Sequence, residues 1–237
     1  MVVMGLMCGQ VLAQEVVQDF TLVNVVDGKN VSLGGFGNSK GIAIIFTSNE
    51  CPYDQQYRKR ISALKNKYQN TIQFLLVNSY TEPRESTIAM ARKFPSWGMD
   101  IPYLADKDQV AMGIFGADKS PEAFLLKKGT QGYAIVYRGA IDDNPLIGTD
   151  VDKAYLDIAI EQMLANKKIE IPDNRAAGCA IRKKLKCLYP QVATIRNLHQ
   201  QDLYLIRFGM FAHFLKRRDQ VAQCPSDNLH MAARFVI

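Results

Sequence analysis

Ile42-Ala43-Ile44-Ile45-Phe46 is a short run with no polar face. Such a run reads as a strand covered on both sides, because an alternating strand would show one face to water. The rest of the chain must then supply layers for two faces. Immediately after it, Thr47-Ser48-Asn49-Glu50 turns into a stretch where Tyr57, Ile61, Leu64 and Tyr68 recur at three- and four-residue steps. Arg58, Lys59, Arg60, Lys65 and Lys67 lie between them, which is the pattern of an amphipathic helix. Strand, tight turn and helix are thus fixed in that order.

The other segments follow the same logic. From Asp19 to Leu33, apolar and β-branched residues flank Asp27-Gly28, a hairpin signal. Ile72 to Val77 reads as a second buried strand. Arg84 to Phe94 reads as a helix, with Thr87, Met90, Ala91 and Phe94 on its inner side, and Val110 to Phe115 as a shorter one. Ala123 to Leu126 and Ala134 to Tyr137 read as strands joined by the Lys127–Gly132 turn, hence antiparallel. Asp150 to Ala165 closes the series as a helix, with Tyr155, Ile158, Met163 and Leu164 inward, and Pro172 to Gly178 reads as a linker. The expected class is α/β, a mixed central sheet flanked by helices with an N-terminal β-hairpin.

Charge divides the 237 residues unevenly. Ile181 onward carries 10 Lys+Arg and 3 Asp+Glu of the chain's 29 and 23, leaving the body with 19 and 20. A near-neutral body gives no electrostatic reason to expect nucleic-acid binding. Five cysteines are present (Cys8, Cys51, Cys179, Cys187, Cys224), with no CxxC pair. All three histidines (His199, His213, His230) fall in the basic tail, so a mixed Cys/His metal site in the body lacks its nitrogen donors. No metal and no organic cofactor is expected. Residues 1–15 are a candidate signal segment: Met1 to Ala13 is uncharged and apolar, and Val11-Leu12-Ala13 before Gln14 resembles a cleavage site, though without a positive leading region. That favours export to the periplasm, cell envelope or medium, with a cytoplasmic location as the alternative.

Cys51 stands where the first buried strand gives way to the helix, with Pro52 in the first turn. Free N–H groups and the helix dipole favour an anion there, and a thiolate is the species that attacks disulfides and peroxides. Read alone, Cys51 is equally a buried structural cysteine. Its surroundings add more. Ser48-Asn49-Glu50-Cys51-Pro52-Tyr53, following Ile44-Ile45-Phe46, resembles the active-site loop of thioredoxin-like redoxins, including the alkyl hydroperoxide reductase/thiol-specific antioxidant group. Asp19-Phe20-Thr21-Leu22 with Asp27-Gly28-Lys29 and Val31-Ser32-Leu33 resembles that group's N-terminal hairpin, and Ile101 to Asp106 the segment entering its later helix. Ser120-Pro121-Glu122-Ala123-Phe124 is similar to its cis-proline turn and strand, Tyr137 to Asn144 to a strand end, and Gly178-Cys179-Ala180-Ile181 to a C-terminal cysteine motif.

The resemblance, from about Asp19 to Ile181, implies a thioredoxin-like fold and a thiol-based oxidoreductase acting on a thiol or disulfide protein, or on peroxide, with an external thiol donor. It implies that Cys51 is catalytic and that Ser120 and Pro121, joined by a cis bond, face it and pair with an extended peptide. Pro52 belongs to the same surface. Relatives often carry a second cysteine three residues before or after the first. Those positions here are Ser48 and Asp54, so the local dithiol is missing. Ser48 supplies the hydroxyl found three residues before a peroxiredoxin cysteine, but the upstream proline of those loops is replaced by the apolar strand. Cys179 is either the resolving partner of Cys51 or a free thiol or ligand. Arg138 either stabilises a thiolate or caps the sheet edge. Asp142-Asp143-Asn144 before Pro145 reads as a turn rather than a metal cluster. Two other functions stay open, a non-catalytic binding module and a metal-handling redoxin. The domain reading is 16–170 as the redoxin body, 171–182 as a linker bearing Cys179, and 183–237 as a basic tail. In the tail, Leu203, Ile206, Met210 and Phe214 share one helical face before Lys216-Arg217-Arg218. That extension is helical and docked, disordered, or in weak contact with an anionic membrane.

Overall fold

Strand β3 (Gly41–Phe46) is buried at every position. Alternation along it sends Ala43 and Ile45 into one hydrophobic cluster, and Ile42, Ile44 and Phe46 into another on the opposite face. The computed structural model describes residues 16–184. The candidate signal segment, the helical face of the tail and the three histidines lie outside the described residues.

Before β3 come β1 (Thr21–Asn24) and β2 (Asn30–Ser32), an antiparallel hairpin around Asp27-Gly28. After it come α1 (Pro52–Tyr68), β4 (Ile72–Asn78), α2 (Thr87–Lys93), β5 (Tyr103–Ala105) and α3 (Val110–Phe115). Then follow β6 (Lys119–Ser120), β7 (Glu122–Lys128), β8 (Tyr133–Gly139), α4 (Tyr155–Leu164) and β9 (Cys179–Ala180). The main sheet runs β2-β1-β5-β4-β3-β7-β8, with β3, β4 and β5 parallel and β7 and β8 antiparallel beyond β3. Parallel neighbours need a crossover, which α1 provides between β3 and β4. This is a thioredoxin-like fold, with a mixed sheet flanked by helices.

The two faces are filled differently. One receives Tyr57 and Ile61 of α1, Met90 of α2, and Leu156, Ala159, Ile160 and Met163 of α4. The other receives Phe20, Leu22 and Leu33 from the N-terminal hairpin region, and Ala111, Met112 and Phe115 of α3. There Phe124 meets Phe46 and Phe115 with ring centroids 5.6 and 5.1 Å apart.

Several sequence expectations need correction. Arg84–Phe94 is not one helix. Two short 3₁₀ turns, Pro83–Glu85 and Phe94–Trp97, bracket α2, and the Ser86 hydroxyl caps it by accepting from Ala89 N. Met90 and Phe94 are buried, but Thr87 and Ala91 face solvent. The last helix starts at Tyr155 rather than Asp150, where Leu156 N donates to Ile141 O. That anchor turns Leu156, Ala159 and Ile160 inward and leaves Ile158 exposed. β5 was not expected as a strand, being only three residues long. Pro172–Gly178, expected as a linker, is hydrogen-bonded to the body. Arg138 N donates to Pro172 O, Asn174 N donates to Arg138 O, and Ala140 N donates to the Asn174 side chain.

Phe124→Ala removes the ring at the centre of the second cluster. The expected loss is about 3–5 kcal/mol of unfolding free energy, read from urea titrations.

Candidate functional site

The turn from β3 to α1 carries polar side chains into the interior. Thr47, Ser48 and Asn49 are buried although none is apolar. Such groups persist inside only when hydrogen-bonded, and here one carboxylate meets most of the demand. Glu85, buried after β4, accepts from Ser48 Oγ at 2.6 Å, Asn49 N at 2.9 Å, Glu50 N at 3.1 Å and Asn78 Nδ2 at 2.7 Å. Ser48 Oγ in turn accepts from Cys51 N at 3.0 Å. Tyr103 Oη donates to Asn49 Oδ1, and Asn49 Nδ2 to Arg84 O. Lys107, just past β5, braces the same region by donating to Asn78 and to Tyr80 O, and burial lowers its pKa to about 8.

Cys51 is the N-cap of the 17-residue α1, with Pro52 exposed at the first helical position. Its side chain is 4% exposed, and Cys51 Sγ lies 3.5 Å from Ser120 O. Cys51 and Cys179 are joined by a disulfide across a sequence separation of 128 residues. Cys179 arrives on β9, which pairs antiparallel with β6, Ser120 opposite Cys179 and Lys119 opposite Ala180. The Ser120–Pro121 bond is cis.

Beneath this contact lies a chain of hydroxyls ending on a carboxyl group. Tyr80 Oη donates to Cys179 O at 3.0 Å and stands 2.9 Å from Ser120 Oγ. Ser120 Oγ donates to Asp54 Oδ2, and Thr47 Oγ1 to Asp54 Oδ1, each at 2.7 Å. Burial raises the Asp54 pKa to about 7 against the opposing pull of these two hydrogen bonds, and nearby Glu85 adds to the rise. Burial likewise pushes the Tyr80 phenol up.

Of the residues singled out in the sequence, Cys51, Cys179, Ser120 and Pro121 come together. Ser48 sits behind the loop, gripping backbone amides. Arg138 lies 3.4 Å from Glu122, with its guanidinium over the Phe124 ring. Glu50 turns away from the sulfur towards Lys93, whose hydrogen bond lowers its carboxyl pKa. Asp142 forms a buried turn, paired with Arg60 at 2.6 Å and accepting from Tyr57 Oη. Among the described residues no three or more His, Cys, Asp or Glu side chains cluster as a metal site. Sequence reading missed Glu85 and Tyr80, which reach the site across the fold. It saw Asp54 only as a position without cysteine, although three residues past Cys51 is one helical turn along the same face.

No protein-family model matches the chain, and no curated protein does. Solved structures do. An uncharacterised conserved protein from Geobacillus kaustophilus is 25% identical, with a TM-score of 0.66 over 73% of this chain and 93% of its own. A hypothetical protein from Sinorhizobium meliloti is 26% identical, with a TM-score of 0.64 over 71% and 92%. The structural neighbours also include thioredoxin-like thiol–disulfide oxidoreductases. One is a secreted Mycobacterium tuberculosis disulfide oxidoreductase, at 16% identity and a TM-score of 0.42 over 62% and 95%.

Glu85→Gln turns an NH₂ group towards donors. The expected cost is about 2 kcal/mol or more of unfolding free energy, measured with the disulfide intact. For Asp54, a folded pKa near 7 against 3.8 unfolded means the native state holds a proton the unfolded state has released. Its contribution to stability therefore falls as pH rises from about 4 to about 7, by up to about 1.4 kcal/mol per pH unit, and is flat above. Asp54→Asn removes that slope, which urea titrations of both proteins across this range will read.

Proposed function

We propose that the protein is a thiol–disulfide oxidoreductase in which Cys51 is the nucleophile and Cys179 resolves it. The observation that carries this reading is the Cys51–Cys179 disulfide at the start of α1, beside the Ser120 edge. In the reduced protein, the Cys51 thiolate attacks one sulfur of a partner's disulfide and expels the other as a thiolate. The Cys179 thiolate then attacks Cys51 Sγ, which releases the second partner thiol and forms the intramolecular disulfide. One partner disulfide becomes two thiols while two protein thiols become one disulfide. An external thiol donor reverses the protein half, and the exchange runs in either direction according to the potentials of the couples.

Neither step needs a metal or an organic group. Residues 171–182 act in this reading as an arm that delivers the second thiol. A disulfide of this kind suits an oxidising compartment, which supports an envelope, periplasmic or secreted location. A peroxide is the less favoured oxidant, since Ser48 is engaged with Glu85 and Arg138 with Glu122. A sulfenic acid on Cys51, trapped by a dimedone-type probe, would reopen it.

The test is alkylation of reduced protein against pH, in wild type and Cys179→Ser. The expected midpoint for Cys51 lies well below the free-thiol value of about 8.5. Mild oxidation should yield a Cys51–Cys179 disulfide in wild type and none in the variant. An ordinary midpoint, with no mixed disulfide formed from a small disulfide, would leave a non-catalytic binding module on the same scaffold.

A further inference from the structure

The Ser120 edge is filled by the chain itself, and the fit is specific at Gly178, Cys179 and Ile181 of Gly178-Cys179-Ala180-Ile181. A Cβ on Gly178 would fall 2.6 Å from Ser120 C and 3.1 Å from Pro121 N, and closest of all to Ser120 O. These are backbone atoms and cannot swing aside as a side-chain tip can. Gly178 does not have the positive φ that demands glycine elsewhere in the chain, so space is what selects it. Cys179 O is held by Tyr80 Oη. Ala180 is exposed and meets no size limit. Ile181 is 6% exposed in the cluster that contains Met112 and Phe115, with its N–H on Asp118 O at 2.9 Å.

Every element of this recognition is main-chain pairing, a hydroxyl bonded to a main-chain carbonyl, an absence of bulk, or an apolar socket. Nothing in it depends on the segment belonging to the same chain. Resting on the reading of Cys51 as a nucleophile beside an edge that pairs with extended peptide, we infer that this edge reads the partner's sequence around its cysteine. It selects glycine immediately before the reacting cysteine and an aliphatic residue two positions after it. The 178–181 segment is its resident occupant, and a partner enters only when that segment leaves. The tether gives the resident a high local concentration, so it competes with any partner in solution.

The experiment uses the full chain with Cys8, Cys187 and Cys224 replaced by serine, so that Cys51 is the thiol under test, in Cys179→Ser and Gly178→Val/Cys179→Ser forms. The probes are short peptides whose cysteine carries a nitrothiobenzoate group through a disulfide. The Cys51 thiolate attacks the peptide sulfur, a Cys51–peptide disulfide forms, and nitrothiobenzoate leaves with the bonding electrons. Its release gives the rate, and mass spectrometry identifies the adduct. Rates are divided by that for a small aromatic disulfide in the same protein.

The Gly-Cys-Ala-Ile peptide should react about tenfold or more faster than Ala-Cys-Ala-Ile or Gly-Cys-Ala-Asp, the scale on which a fitted site discriminates one methyl group. Valine at 178 should evict the resident segment and raise the normalised rate for the first peptide. If that variant does not fold, the peptide series in Cys179→Ser still decides selectivity, and Ile181→Asp tests eviction. Equal normalised rates for the three peptides would overturn the inference. A Cys51 that reacts with neither peptides nor the small disulfide would overturn the proposed function instead.

Discussion

A single buried carboxylate makes the start of α1 possible. The chain leaves a strand covered on both faces and begins a helix through a turn in which Thr47, Ser48, Asn49 and Cys51 are buried and Glu50 alone is exposed. The amides of Asn49, Glu50 and Cys51 and the hydroxyl of Ser48 therefore need protein partners. Glu85 accepts directly from three of these donors, and Ser48 passes the arrangement on to Cys51 N. Because Glu85 also binds Asn78 at the end of β4, the loop is referenced to the sheet and not merely to itself. Cys51 inherits that rigidity. Its sulfur is held 3.5 Å from Ser120 O, next to the β9 strand that pairs with the Ser120 edge.

The second thiol reaches the site by a long route. Where two thiols sit within one helical turn, redox change is local. Here Cys179 is placed by a segment that first bridges to β8 at Arg138 and Asn174, then buries Ala176, and finally pairs as β9 with β6. The cross-link spans 128 residues of sequence, which restricts the unfolded chain by about 5 kcal/mol in the loop-entropy picture. Oxidation therefore fastens the last described strand to the body, and reduction leaves it held by hydrogen bonds and Ile181 alone. The disulfide thus adds a covalent hold to an edge contact that hydrogen bonds and Ile181 already make.

The framework was legible because it rests on periodicity. The apolar run at Ile42–Phe46, the stripe from Tyr57 to Tyr68 and the Asp27-Gly28 turn each encode an element in neighbouring residues, and each stands where expected. Boundaries failed where a single tertiary bond decided them. Leu156 N on Ile141 O sets the start and rotation of α4, and no local pattern announces it. The contacts of the linker were hidden for the same reason, since Pro172 and Asn174 are held by hydrogen bonds to Arg138 and Ala140 rather than by any repeat of their own. Within the site, Cys51, Pro121 and Cys179 carried recognisable neighbours. Glu85 carried none, being an acidic residue in a short polar turn whose partners lie 35 to 37 residues earlier in the loop. Tyr80 was equally silent.

Asp54 joins a titrating group to the site. One helical turn beyond Cys51, its carboxyl group is buried and titrates near neutrality. Ionised, it takes the protons of both Thr47 and Ser120. Ser120 Oγ can then only accept from Tyr80, and Tyr80 has one proton for two acceptors, Ser120 Oγ and Cys179 O. Protonated at Oδ2, Asp54 can donate to Ser120 Oγ, which can then donate to Tyr80 Oη and leave the Tyr80 proton for Cys179 O. The charge on Asp54 and the hold on the strand that carries the second cysteine are thus joined through two hydroxyl groups. A cysteine at position 54 would have supplied a nearer thiol but no such connection.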